Sequence, residues 1–193
     1  IYNDKNSNMK NIIMEKLEGD VFDICQNINV NVEDDTKLLI ELLYQTASHL
    51  HLLQKHFCFM HNDLKQNNIL YKLKKKNKPI SYNNIIFFLT DFGGSTLKFN
   101  NEIIKGSVKG NDLYYDESKD IYLLVHMIIT YIKPELKKSL VEFFKIIFDT
   151  INLEDCCRLN CNWHKLYEEN SYPIEYKPCN VLDKLHKLMN DKD

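Results

Sequence analysis

The sequence predicts a mainly α chain of the α+β class, a helical bundle carrying a small pair of strands. Three observations support this. Leu38, Leu39, Leu42, Leu43, Ala47, Leu50 and Leu53 recur at three- and four-residue spacing, the period of one buried helix face. Two later stretches, starting at Lys119 and Leu136, repeat that period. Between the first helix and these lie "ILYKL" (69–73) and "IIFFLT" (85–90), apolar runs of strand length.

The elements follow in order. Residues 1–10 are polar and predict a loop or frayed end. "NIIMEKLEGD" (11–20) predicts a short apolar strand that breaks at Gly19, and residues 20–27 predict one or two helical turns. Asp35 or Thr36 is expected to cap the leucine-rich helix, because a short polar side chain accepts a bond from a free backbone N–H. "KKKNKP" predicts a solvated turn with Pro79 as its breaker. Residues 94–119 read as irregular. Helices are then expected from Lys119 to just before Pro134, over Leu136–Ile151, and around Val181–Leu188, with a loop-rich stretch over 152–180.

Composition narrows the function. The 193 residues are 44% apolar and 27% charged, enough for one domain with a core. A net charge of −2 argues against a nucleic-acid partner. No run approaches the roughly 18 apolar residues of a membrane span, and no basic-then-apolar leader is present. Six cysteines without a small secreted scaffold predict a reduced, intracellular setting.

Two polar motifs carry chemistry. "HNDLKQNN" places His61, Asp63, Lys65 and Asn68 at H-x-D-x-K-x-x-N spacing, and "TDFGG" supplies Asp91, Phe92 and Gly93. A carboxylate such as Asp63 can orient a hydroxyl and accept its proton. Lys65, two residues on, is a cation able to reach charge that gathers on a phosphate transferred to such a hydroxyl. Asn68 and Asp91 offer the hard oxygens that Mg²⁺ prefers, and Gly93 permits a bend after the metal ligand. Each motif alone is bland, a solvated loop or a tight turn after a strand. Both together, in order, are harder to obtain by accident.

This pair resembles the catalytic loop and D-F-G of the eukaryotic protein kinases. "IIMEKLEGD" is similar to that fold's hinge, and "DIYLL" (120–124) to the start of its long buried helix. The resemblance implies one partial kinase-like domain over 1–193, with a hinge-like strand at 11–19 and a C-terminal lobe at 20–193. It implies ATP and Mg²⁺ as cofactors and a Ser/Thr hydroxyl on a protein substrate as acceptor. Asp63 and Lys65 would be catalytic, with Mg²⁺ on Asn68 and Asp91. Met14 would be the gatekeeper, Glu15 and Leu17 would meet the adenine edge, Leu70 would lie under the base, and Asp20 would lie near the ribose. Asp120 would brace the catalytic loop, His61 would be structural, and Phe92 would pack inward.

The chain also departs from the family. The resemblance calls for an N-terminal lobe with a Gly-rich loop, a strand Lys and a helix Glu, and none can be placed here. The start at Ile1 therefore predicts a piece of a longer protein, with that lobe supplied in cis or by a partner. Asn62 stands where many protein kinases carry an Arg that binds an activation-loop phosphate. Asn cannot make that charge-assisted bidentate contact, so activity is expected not to depend on phosphorylation of Ser95, Thr96 or Ser107. The A-P-E ending is missing, and the spacing between Asp63 and Asp91 is lengthened by the Lys-rich hairpin at 72–84.

Two rival readings stay open. Choline- and aminoglycoside-type kinases share the fold and fit Asn62. A pseudokinase binding module fits the absent lobe but not the intact Asp63, Asn68 and Asp91. Separately, Cys156, Cys157, Cys161 and His164 offer four soft ligands to Zn²⁺. Their spacing is not that of a C-x-x-C pair, and core packing is the preferred reading.

Overall fold

The computed structural model describes residues 2–3, 10–11, 15–106, 115–151 and 172–190. It is an α+β chain. In order come β1 (Tyr2–Asn3), β2 (Lys10–Asn11), β3 (Gly19–Asp20), α1 (Phe22–Asn27), α2 (Glu33–Phe57), β4 (Ile69–Leu73), β5 (Ile85–Leu89), β6 (Thr96–Phe99), β7 (Glu102–Lys105), α3 (Lys119–Tyr131), α4 (Pro134–Ile147) and α5 (Pro178–Asn190). β1 pairs with β2, β4 lies between β3 and β5, and β6 pairs with β7, all antiparallel.

The leucine periodicity becomes α2, whose Leu39, Leu42, Leu43, Ala47 and Leu50 are fully buried. The expected cap is corrected. The helix starts earlier, at Glu33, and no side chain caps it. Three acidic residues in its first turn, Glu33, Asp34 and Asp35, face the positive end of the helix dipole instead. Asp35 accepts the Asn29 amide at 2.9 Å, and the Thr36 hydroxyl donates to the Val30 carbonyl at 2.9 Å, so both fasten the preceding connector. At the other end Cys58 turns left-handed (φ 43°), and its N–H closes on the Gln54 carbonyl, turning the chain toward the polar loop.

The strand expected over 11–20 is also corrected. Residues 15–17 are irregular, and the pairing that continues into the sheet begins at Gly19 rather than ending there. The Tyr71 ring lies over Gly19, where an added Cβ would meet Cε1 at 3.2 Å. β4 and β5 form where predicted and pair from Ile69↔Leu89 to Leu73↔Ile85. Gln45 of α2 locks β5 to the helix, accepting the Phe87 amide at 2.8 Å. The Lys-rich turn is not loose. Buried Asn84 accepts the Lys75 amide and donates to the carbonyls of Lys75, Lys78 and Pro79.

The segment read as irregular contains a hairpin. β6 and β7 are joined by Asn100 and Asn101, both with positive φ (49° and 66°), the conformation of a tight hairpin turn that Asn tolerates. α5 packs along α2, and the core joins α2, β5, α3, α4 and α5 through Ile85, Phe87, Ile128, Phe144, Val181 and Leu185. Phe148 and Tyr176 stack at 4.2 Å beneath it. Among the described residues, no helix is long and apolar enough to cross a membrane.

Leu43 sits at the centre of this packing. Leu43→Ala is expected to destabilise the chain by about 2–5 kcal/mol in a urea titration. A loss below about 1 kcal/mol would mean that α2 does not pack as described.

Candidate active site

The polar loop is built from α3 outward. Asp120, in the first turn of α3, is 1% exposed. Its Oδ2 accepts the His61 amide at 2.7 Å, and its Oδ1 accepts the Asn62 amide at 2.9 Å. One carboxylate thus holds two successive backbone donors, the bracing role expected of it. Burial pushes the Asp120 carboxyl above its ordinary value, while the charge of His61, the two amides and Lys119 pull it down. His61 is fully buried, and its Nε2 meets the Thr90 carbonyl at 2.8 Å. That bond ties the loop to the end of β5.

Asp63 is held on two sides. Lys65 Nζ lies 2.8 Å from Oδ2, and Asn68 Nδ2 donates to the same oxygen at 3.1 Å and to the Asp63 carbonyl at 2.7 Å. With Nδ2 committed, Oδ1 of Asn68 is the atom that can meet a cation. Lys65 and Asp63 are each about one-third exposed, so the pair is reachable from solvent and contributes little to stability.

Asp91 follows directly. The Thr90 amide donates to the Asn68 carbonyl at 3.0 Å, setting the residue after Thr90 beside the loop. Asp91 is exposed and left-handed (φ 57°). The expected role of Gly93 is corrected here. No described glycine has positive φ. The bend is made by Asp91 itself and the 3-10 turn Phe92–Gly94, because a short carboxylate tolerates the left-handed region. Phe92 is corrected as well. One side of its ring meets Phe59 and His61, but it is 49% exposed and lines an open apolar cavity of about 510 Å³ with Phe57, Leu97, Phe99 and Ile104.

The remaining candidates spread along β3 and β4. Asp20 pairs across from Leu70, accepts the Phe22 amide at 3.0 Å and receives Asn67 Nδ2 at 3.2 Å. Leu70 is half-buried between Asp20 and Phe88. Leu17 is half-buried, and Glu15 is exposed and paired with Lys72, whose hydrogen bond holds its carboxyl below the usual range. Met14, Ser107 and the set Cys156, Cys157, Cys161 and His164 lie outside the described residues.

Sequence reasoning missed Asn67, Thr96 and Lys119 as partners. Lys119 carried a signal, since it adjoins the bracing Asp120 on the same helical turn. Among the described residues, no group of three or more His, Cys, Asp or Glu could hold a metal. One amide oxygen and one carboxylate match the few protein oxygens that Mg²⁺ uses when phosphates and water complete its shell. No protein-family model matches the chain, and a search of curated proteins finds no match.

Asp120→Asn would set an NH₂ against one of two buried amide donors and cost about 1–3 kcal/mol. Parallel urea titrations of the parent and Asp120→Asn at neutral pH measure that cost, and a loss below about 0.5 kcal/mol would mean that the two amides do not rely on the carboxylate.

Proposed function

We propose that this chain is part of an ATP-dependent phosphotransferase of the protein-kinase type, acting on a Ser/Thr hydroxyl of a protein. The observation that supports the reading most is the Asp63 carboxylate. It is fixed by Lys65 and Asn68, on a loop braced by Asp120 and joined through Thr90 to Asp91.

In this reading Asp63 accepts a hydrogen bond from the acceptor hydroxyl and takes its proton as the oxygen attacks the γ-phosphorus of ATP and ADP departs with the bridging oxygen. The Lys65 ammonium, 2.8 Å from Asp63, stays close enough to meet charge gathering on the transferred group. Asn68 Oδ1 and the Asp91 carboxylate would hold Mg²⁺, which with ATP supplies the phosphoryl group and neutralises its charge. Leu70 offers the apolar surface for a flat base, and Asp20, held by Asn67, offers a carboxylate oxygen for ribose hydroxyls. Transfer to a metal-bound phosphate asks the protein mainly for positioning, which such a hydrogen-bonded loop provides.

A second reading, transfer to a small amino-alcohol, draws on Asn62, which lacks the charge to read a phosphorylated activation segment.

Labelled ATP supplied with a panel of proteins and a panel of amino-alcohols separates the two acceptors. Asp63→Asn is expected to lower transfer by about 10²–10⁴-fold while Mg·ATP still raises the melting temperature. Asn68→Ala and Asp91→Ala should abolish that Mg-dependent rise. If the full-length protein neither transfers label to either panel nor responds to Mg·ATP, the phosphotransferase reading fails.

A further inference from the structure

The segment after Asp91 is fastened to the Asp63 loop by a buried network. Asn62 is left-handed (φ 65°) and 2% exposed. Its Nδ2 donates to the Gly94 carbonyl at 3.1 Å and to Thr96 Oγ1 at 2.9 Å. Its Oδ1 accepts Lys119 Nζ at 3.1 Å. Around it, Met60 and Thr96 exchange both backbone bonds at 2.8 Å, and the Ser95 hydroxyl donates to the His61 carbonyl at 3.3 Å. Gly106 closes the far side, donating to the Ser95 carbonyl at 2.7 Å. An added Cβ there would meet the Gly93 carbonyl oxygen at 2.1 Å.

The orientation of the Asn62 amide decides whether this network forms. A terminal amide can rotate end over end, exchanging its donor and acceptor ends. Turned over, its oxygen would face the Gly94 carbonyl, acceptor against acceptor. The Lys119 ammonium, 7% exposed, attracts Oδ1 and so directs Nδ2 at Gly94 and Thr96. Lys119 and Asp120 are neighbours in the first turn of α3. Asp120 holds the Asn62 backbone while Lys119 sets its side chain.

We propose that Lys119 and Asn62 are positioning residues forming a permanent latch, which fixes Gly94–Thr96, and through them Asp91, on the Asp63 loop without any added phosphate. The catalytic meaning of the latch rests on the phosphotransferase reading; its structural part does not. Ser95 and Thr96 are 8% exposed, and both hydroxyls are engaged in the network. A phosphate on either would have to break the latch rather than close it.

The test compares the full chain with Lys119→Met, Thr96→Val and Lys119→Arg by amide hydrogen exchange and steady-state kinetics. Lys119→Met and Thr96→Val should speed exchange at Ser95, Thr96 and Gly106 about tenfold or more and leave the α2 amides of Leu43 and Leu50 protected. They should lower kcat by about ten- to a hundredfold with KM for ATP little changed, and Lys119→Arg should restore much of both. Should Lys119→Met not fold, Thr96→Val, which removes only one hydroxyl, carries the same exchange measurement. Unchanged exchange at Ser95 and Thr96 in a folded variant overturns the latch. Faster exchange as expected, in a protein whose parent form transfers no phosphate, leaves the latch standing and removes the phosphotransferase reading.

Discussion

A single buried carboxylate organises the polar half of this molecule. Asp120 lies beneath the loop with both oxygens engaged by consecutive amides, those of His61 and Asn62. Burying a charge is costly unless it is hydrogen-bonded and paired, and removing one partner of such a set costs more than the set itself contributes. The loop cannot shift relative to α3 without exposing that cost. From there the constraint passes outward. His61 is fixed against the Thr90 carbonyl, and the Thr90 amide is fixed on Asn68. The end of β5, and with it Asp91, therefore takes its place from a residue on a helix late in the chain.

Two left-handed residues lie on this path, Asn62 and Asp91. Such a backbone is unfavourable for a residue with a side chain, although Asn and Asp bear it best. It persists where the surroundings over-determine it. Asn62 is held by its amide on Asp120 and by three side-chain bonds. Asp91 is held by its neighbours: the Thr90 backbone on one side and the Phe92–Gly94 turn on the other. The Asn62 side chain turns into the buried network with Gly94, Thr96 and Lys119, whereas Asp91 stays exposed. The apolar mass of α2, α3 and β5 beneath supplies the rigidity they need.

What the sequence disclosed follows from how local each feature is. The leucines of α2 and the apolar stripe of α3 announce themselves by period, because burial on one side imposes that period. Asp63, Lys65, Asn68 and Asp91 were legible because their chemistry is packed into two short runs. Features that depend on distant partners were not. The β6–β7 hairpin hid behind polar composition, although Asn100–Asn101 was a readable turn signal. Asp35 was read as a helix cap, but its partner is Asn29, which belongs to the connector before the helix. Gly93 was given the bend that Asp91 makes. Lys119 was signalled only by its place beside Asp120, and its partner Asn62, far away in sequence, is met only on folding.

Among the described residues, the site is held from the side of α3 and β5: Asp120 braces the loop, Lys65 and Asn68 meet Asp63 on it, and the end of β5 carries Asp91. Phe57, Phe92, Phe99 and Ile104, all substantially exposed, line the 510 Å³ cavity together with Leu97. Exposed apolar groups gathered in one patch are what a covering surface needs in order to adhere. Phe92 therefore has two roles in the packing: its inner side rests on His61 and Phe59, which ties the turn after β5 to the Asp120-braced loop, and its half-exposed outer side forms part of the cavity wall.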